Sequence, residues 1–172
     1  MHVELQNVMA TMFTNYIGPG AEEAHTVNFR KRYPEIIEKY GIKSVNDAGC
    51  GLGWVKDAAD IDYKGFDILK RDNATILDFT DEIMPEADLI VCRDVLLHLP
   101  SPLVLKAIEN FRKSSKYLLA SSHYDADNEK LPEEMGGYNS LISLVDAPFN
   151  LGEPLEKIEE PMDNRFMGLW KL

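Results

Sequence analysis

Positive charge is what this sequence most lacks: 18 Lys and Arg face 29 Asp and Glu, leaving a formal charge of -11. Such a field repels a phosphate backbone unless a local basic patch overrides it, so tight nucleic-acid binding is disfavoured. Cysteine is scarce too, with only Cys50 and Cys92, both inside apolar segments. That placement suits reduced, buried thiols better than a disulfide framework. No run approaches the roughly 18 apolar residues that a membrane span needs, and the opening MHVELQNVMA lacks a basic region followed by an apolar stretch. A soluble, cytoplasmic protein without a membrane partner is expected. The Gly-Lys-Ser/Thr tripeptide of a phosphate-binding P-loop is missing, as are internal repeats and low-complexity linkers.

What is present suffices for one domain. The 172 residues, 45% of them hydrophobic, support a real core but not two sizeable ones, so a single unit over residues 1–172 is expected. From Thr26 to Tyr40 the apolar residues Val27, Tyr33, Ile36, Ile37 and Tyr40 recur at helical spacing, with Pro34 predicting a break or kink near Arg32 and Tyr33 and Gly41 a stop. IKSVNDA reads as a strand, LGWVKDAAD as a short helix, and DYKGFDI as the next strand. ADLIVCRD is a near-continuous apolar run, as in a parallel strand buried on both faces. Ser101 reads as an N-cap with Pro102 at the first helical position, and Leu103, Val104, Ala107, Ile108 and Phe111 make a face as far as Arg112 and Lys113. KYLLASS follows as a strand, then a loop-rich stretch from His123 to Phe149, then PLEKIEE and RFMGLWKL as a closing antiparallel hairpin. The alternation predicts an α/β fold with an open, mostly parallel twisted sheet and a ligand at the carboxyl ends of its strands.

VNDAGCGLGWV, residues 45–55, lies at such an end. A dinucleotide fingerprint requires a third glycine where Trp54 stands, so only Gly49 and Gly51 fit it. What remains is Asp-x-Gly-x-Gly-x-Gly from Asp47 to Gly53, with an acid, Asp67, closing the following strand. A carboxylate at that place is suited to accept hydrogen bonds from both hydroxyls of a ribose.

In these residues the sequence resembles the class I S-adenosylmethionine-dependent methyltransferases over most of its length. DAGCGLGW is similar to their first motif, FDI to the second, LDFT around Asp78 to the third, and ADLIVCRDVLLHLP to the fourth strand and its trailing loop. The chain also resembles small bacterial and phage-encoded methyltransferase-like proteins. The residues shared with them are Gly18, Gly20, Thr26 and Arg30, then CRDVLLHL, KYLLASSH, APFNLGEPLEKI and GLWKL in the same order. The resemblance implies a Rossmann-like sheet with S-adenosyl-L-methionine as cofactor. It places Asp47, Gly49 and Gly51 along the methionine side, with Cys50 and Trp54 in the same loop, Asp67 and Ile68 at the ribose, and Asp78 beside the adenine. Asp72 competes for the last role. The alternative readings are that Asp67 caps a turn and that Asp78 begins one. An N-terminal lid and helix (1–40), the segment to Arg32 with Tyr16, Ile17 and Gly18-Pro19-Gly20 closing over the cofactor, is expected before a cofactor-binding core (41–122) and a substrate loop with hairpin (123–172).

One departure stands out. Only about six residues separate Asp67 from ATILDF, where a parallel crossover generally takes a dozen or more. Either that strand is displaced from the sheet, or the fold is shortened between its second and third strands and one flank of the adenine pocket is open.

For transfer to a hydroxyl, His98 after CRDVLLHL is the candidate general base, a packing histidine being the other reading. Arg93 and Asp94 are either site residues or an internal ion pair. His123, Asp125 and Asn128 either touch the acceptor or form a solvated turn. Asp94, Asp125, Asp127 and Asn128 contain the oxygens a hard cation needs, but acidic loops are common in so negative a chain, and no metal is expected. CRDV also lacks the prolines and aromatic that mark nucleic-acid amino-methylating enzymes. The expected function is methylation, at oxygen, of a small-molecule or saccharide acceptor. The alternatives are a cofactor-binding protein without transferase activity, or an enzyme that consumes the cofactor by another route.

Overall fold

Helix α1 (Glu23–Tyr40) opens the computed structural model, which describes residues 23–134, 140–161 and 164–172. Its inward stripe is Phe29, Tyr33 and Ile36, at 1%, 0% and 1% exposure, the i, i+4, i+7 spacing of a helix lying on a sheet. Of the break or kink expected near Arg32 and Tyr33, the break does not occur: the helix is continuous. Pro34 sits inside the helix on its exposed side, where water can serve the carbonyl that loses its N–H partner. Burying three large side chains, each contributing about 1.5–3 kcal/mol, outweighs the interruption. Gly41 ends the helix as expected: its N–H reaches the Glu38 carbonyl at 3.2 Å and that of Ile42 reaches Ile37 at 3.0 Å, a Schellman cap that needs the φ of +63° found at Gly41.

Seven strands follow in the order β3-β2-β1-β4-β5-β7-β6: β1 (Ser44–Ala48), β2 (Asp62–Asp67), β3 (Ala74–Ile76), β4 (Ala87–Cys92), β5 (Ser115–His123), β6 (Glu156–Glu159) and β7 (Arg165–Lys171). The pairings from β3 to β5 are parallel. β7 runs antiparallel between β5 and β6, which is the edge. The expected mostly parallel sheet with an antiparallel C-terminal pair is therefore present.

β4 is the central strand that its apolar run predicted. Leu89 and Val91 face the core under α1, while Ile90 and Cys92 face the core under the second helix, α2 (Ser101–Ser114). From α2, Leu103, Val104, Ala107, Ile108 and Phe111 are buried. Ser101 is not its cap: the Pro100 carbonyl accepts the Leu103 and Val104 amides at 2.9 and 3.2 Å, so the helix begins one residue earlier, with Pro100 at the N-cap position and no side chain capping the end.

Among the described residues, the connections from β1 to β2 and from β2 to β3 contain no α-helix. LGWVKDAAD forms only a single 3₁₀ turn, Lys56–Ala58, rather than a helix, since Leu52 projects at 61% exposure while Val55 is buried, and no continuous stripe forms. Of ATILDF only Ala74–Ile76 is strand, but it is in the sheet, parallel to β2. Six residues, 68–73, suffice for this connection because Ala74 pairs with Gly65. The chain need rewind only two residues, about 7 Å. Gly65 makes room for the return: a Cβ there would lie 2.9 Å from the Asn73 carbonyl oxygen.

Candidate functional site

The carboxyl ends of β1, β2 and β4 converge on the glycine loop. Gly49, with φ of +77°, takes a conformation open to glycine, and a Cβ there would lie 2.4 Å from a Val95 methyl. The first glycine of the motif is thus required by the chain leaving β4. The loop is then tied to β2: the Gly49 and Cys50 amides donate to the Phe66 carbonyl at 2.8 and 3.0 Å, and the Gly51 amide donates to Asp67 Oδ2 at 3.2 Å. Trp54 lies against α1, with the Arg30 guanidinium 4.6 Å from its ring centroid, and its buried Nε1 has no hydrogen-bond partner.

Asp67 is nearly buried, and its Oδ1 accepts the Leu69 amide at 2.8 Å. Arg71 Nε stands 3.6 Å from Oδ2. An ionised carboxyl offers about four lone-pair sites, so these contacts orient Asp67 while leaving acceptor capacity at the end of β2. Ile68, beside it, is half-buried against the core.

Asp47, near the end of β1, is the second acid of the site. The Tyr63 hydroxyl of β2 donates to its Oδ2 at 2.8 Å. Burial, the largest influence, pushes its carboxyl up to about 7, with Asp67 adding to the rise and Tyr63 and Arg93 opposing it. Burial also pushes the Cys50 thiol up to about 12, helped by the charges of Asp47 and Asp67. It remains protonated and is no nucleophile. Both cysteines are free and buried, as expected.

Asp78 starts a turn: its Oδ1 accepts the Thr80 amide at 3.0 Å and the Thr80 hydroxyl at 2.6 Å, and its carbonyl accepts the Asp81 and Glu82 amides. Asp72 is exposed.

Arg93 and Asp94 lie in an internal network at the end of β4. Arg93 pairs with Glu160 at 2.8 Å and with Asp94 at 3.2 Å; Arg165 pairs with Asp94 at 2.9 Å and Glu160 at 3.2 Å. Asp94 adopts a left-handed φ of 57°, held by Ser121 Oγ, which accepts its amide and donates to its Oδ1. Two cations and two anions balance, and the Glu160 side chain is fully buried. His98 is half-buried in the 3₁₀ turn Leu96–His98 that follows.

The expected acceptor side is stitched to β5. His123 Nδ1 accepts the Ile142 amide at 3.1 Å, Asn128 clasps Ser143 and Ala147, and Asp125 accepts from Asn164. Among the described residues no three His, Cys, Asp or Glu side chains gather as metal ligands. Tyr16, Ile17, Gly18, Pro19 and Gly20, expected to form a lid, and Met135 to Tyr138 of the loop lie outside the described residues.

Sequence reasoning did not single out Tyr63, Ser121, Glu160 or Arg165. The signal for Tyr63 was its neighbour Gly65, where an added Cβ would fall 3.1 Å from the Tyr63 hydroxyl and 3.0 Å from Cys50 Sγ. No local signal marks Glu160 and Arg165.

No family model and no curated protein matches the sequence. Its fold does match solved structures. The N-methyltransferase NodS from Bradyrhizobium japonicum, in complex with S-adenosyl-L-homocysteine, aligns with a TM-score of 0.64 and 14% identity over 99% of this chain and 97% of its own. An S-adenosylmethionine-dependent methyltransferase from Clostridium acetobutylicum aligns with a TM-score of 0.62 and 11% identity over 99% and 98%. Magnesium protoporphyrin IX methyltransferase from Synechocystis, with bound S-adenosylhomocysteine, gives 0.61 and 15% over 98% and 94%. The chain has the fold of these methyltransferases.

Proposed function

We propose that this protein is an S-adenosylmethionine-dependent methyltransferase that transfers to oxygen of a small-molecule or saccharide acceptor. The observation that carries the reading is the pair of carboxylates framing the glycine loop: Asp47, buried and short of a cation, and Asp67, fixed by the Gly51 amide. They fit the two ends of an aminoacyl nucleoside, Asp47 its ammonium and Asp67 its ribose diol. Cys50, Trp54 and Ile68 complete that wall, and Asp78 shapes the turn beside the adenine. The run of shorter motifs, in order along the chain, supports kinship with small bacterial and phage-encoded methyltransferase-like proteins.

Bound there, the cofactor supplies a methyl group already activated on a sulfonium. The protein's share is alignment, which can lower a barrier by several kcal/mol. His98, in the turn after β4, takes the proton of the acceptor hydroxyl. Arg93 and Asp94, locked with Glu160 and Arg165, keep the end of β4 rigid beneath it. The residues from His123 to Phe149 form the wall that selects the acceptor.

A binder without transferase activity is the second reading. It is favoured by the commitment of Arg93 and Asp94 to internal pairs and by the missing helix after β1. Incubation with S-adenosylmethionine and a panel of hydroxylated small molecules and saccharides, read by mass spectrometry, separates the two. A product heavier by one methylene, formed far more slowly by His98→Gln, is the expected result. Cofactor binding without any such product supports the binder.

A further inference from the structure

β1 and β2 are parallel, so the chain between them must cross one face of the sheet. It crosses the face that carries α1, where Val55, Ala58, Ala59 and Ile61 share a core with Ile36, Ile37 and Ile42. Because the crossing contains only the 3₁₀ turn Lys56–Ala58, among the described residues no helix packs on that flank of α1. A groove of about 490 Å³ lies there, between the last turn of α1 and the entry to β2. Ile42, buried, and Ile37 and Ile61, half-buried, give it an apolar lining. The Schellman cap fixes that lining, since the Ile42 amide on the Ile37 carbonyl brings these two residues together.

The groove is acidic on both banks. Glu38 stands on the α1 side and Asp60 and Asp62 on the β2 side, all exposed, with Lys43 the one cation among the lining residues. Elsewhere on the surface Glu35, Asp127, Glu153 and Glu156 each have a cation beside them. Among the described residues no ion pair engages Glu38, Asp60 or Asp62. Isoleucines between two banks of free carboxylates match a rod with an apolar stripe and cations along both flanks. A compact cation would answer one bank only. The chain's charge of -11 draws a basic partner in. We propose that this groove docks a basic amphipathic helix of a partner protein, with its aliphatic side chains on Ile37, Ile42 and Ile61 and its Lys or Arg against Glu38, Asp60 and Asp62. The groove opens at the amino ends of β1 and β2, whereas the glycine loop lies at their carboxyl ends, so a docked helix leaves the candidate site open.

The probe is a fluorescein-labelled peptide of roughly 15 residues, long enough to form a helix, with leucines at i, i+4 and i+7 and lysines on both flanks. Fluorescence anisotropy is expected to show micromolar binding to the native protein in about 50 mM salt, weakened at least about fivefold in about 500 mM. The same peptide with alanine for leucine should bind at least about tenfold more weakly, because the apolar lining then has nothing to cover. Asp60→Lys with Asp62→Lys should weaken the leucine peptide at least about tenfold. Asp81→Lys with Glu129→Lys, the same change of charge on exposed residues outside the groove, should alter it by less than about threefold. Equal weakening by the two pairs would reduce the attraction to the general charge of the chain and overturn the docking site. Equal binding of the alanine peptide, or no binding of the leucine peptide, overturns it as well. So does a native protein that sediments as a dimer and that Asp60→Lys with Asp62→Lys makes monomeric, since the groove then takes a second copy of this chain. If a variant loses its circular dichroism spectrum, the comparison of leucine and alanine peptides on the native protein still decides.

Discussion

Asp47 carries a cost in the folded protein that its unfolded form does not. An ordinary aspartate has a value of 3.8, whereas here burial raises it to about 7. Between those values the folded state holds a proton that the unfolded chain has released, so the contribution of this residue to stability is complete at acid pH and declines as pH rises through about 7. Asp47→Asn removes the dependence. The variant is expected to gain on the native protein between about pH 5 and pH 8, by on the order of 2 kcal/mol in urea denaturation. Equal midpoint differences at both pH values would contradict the burial argument. Single residues were legible in the sequence where chemistry and spacing coincided, as with Asp67 closing β2 behind a glycine loop. Tyr33 was legible only as part of an apolar stripe, because nothing in a helical period says that its hydroxyl will be buried without a hydrogen-bond partner.

Among the elements, those buried on both faces were the easiest to read. β4 needed no context, since Leu89, Ile90 and Val91 are each fully buried and a parallel strand between two helices demands such a run. The shortened elements were harder. The segment after the glycine loop has apolar residues enough for a helix, but Leu52 faces outward and the chain needs only to pass from β1 to β2. α1 continues past the point where local propensity argued for a break, because packing on the sheet overrode it. Restoring the missing N–H on the exposed side should therefore stabilise the helix. Pro34→Ala is expected to gain about 1–2 kcal/mol, seen as a higher urea midpoint with an unchanged slope. A loss of stability would mean that proline's restriction of the unfolded chain outweighs the recovered bond.

Over the whole molecule, the sheet brings together residues far apart in the sequence. Arg93 at the end of β4, Glu160 at the end of β6 and Arg165 at the start of β7 meet in one network, which no local pattern announced. It pins the C-terminal hairpin to the end of the sheet where the site lies. Glu160→Ala leaves two buried guanidinium groups short of an anion, and a loss of about 3–5 kcal/mol is expected from denaturation. A loss near zero would show that Asp94 alone balances both. Among the described residues no helix is long and apolar enough to cross a membrane.

All of this converges on one measurement, the calorimetric titration of the native protein and Asp67→Ala with S-adenosylmethionine and S-adenosylhomocysteine. Both ligands are expected to bind the native protein at micromolar concentration, and the substitution to weaken that binding at least tenfold, about 1.4 kcal/mol. Binding unchanged by Asp67→Ala, or no binding to either protein, would contradict it.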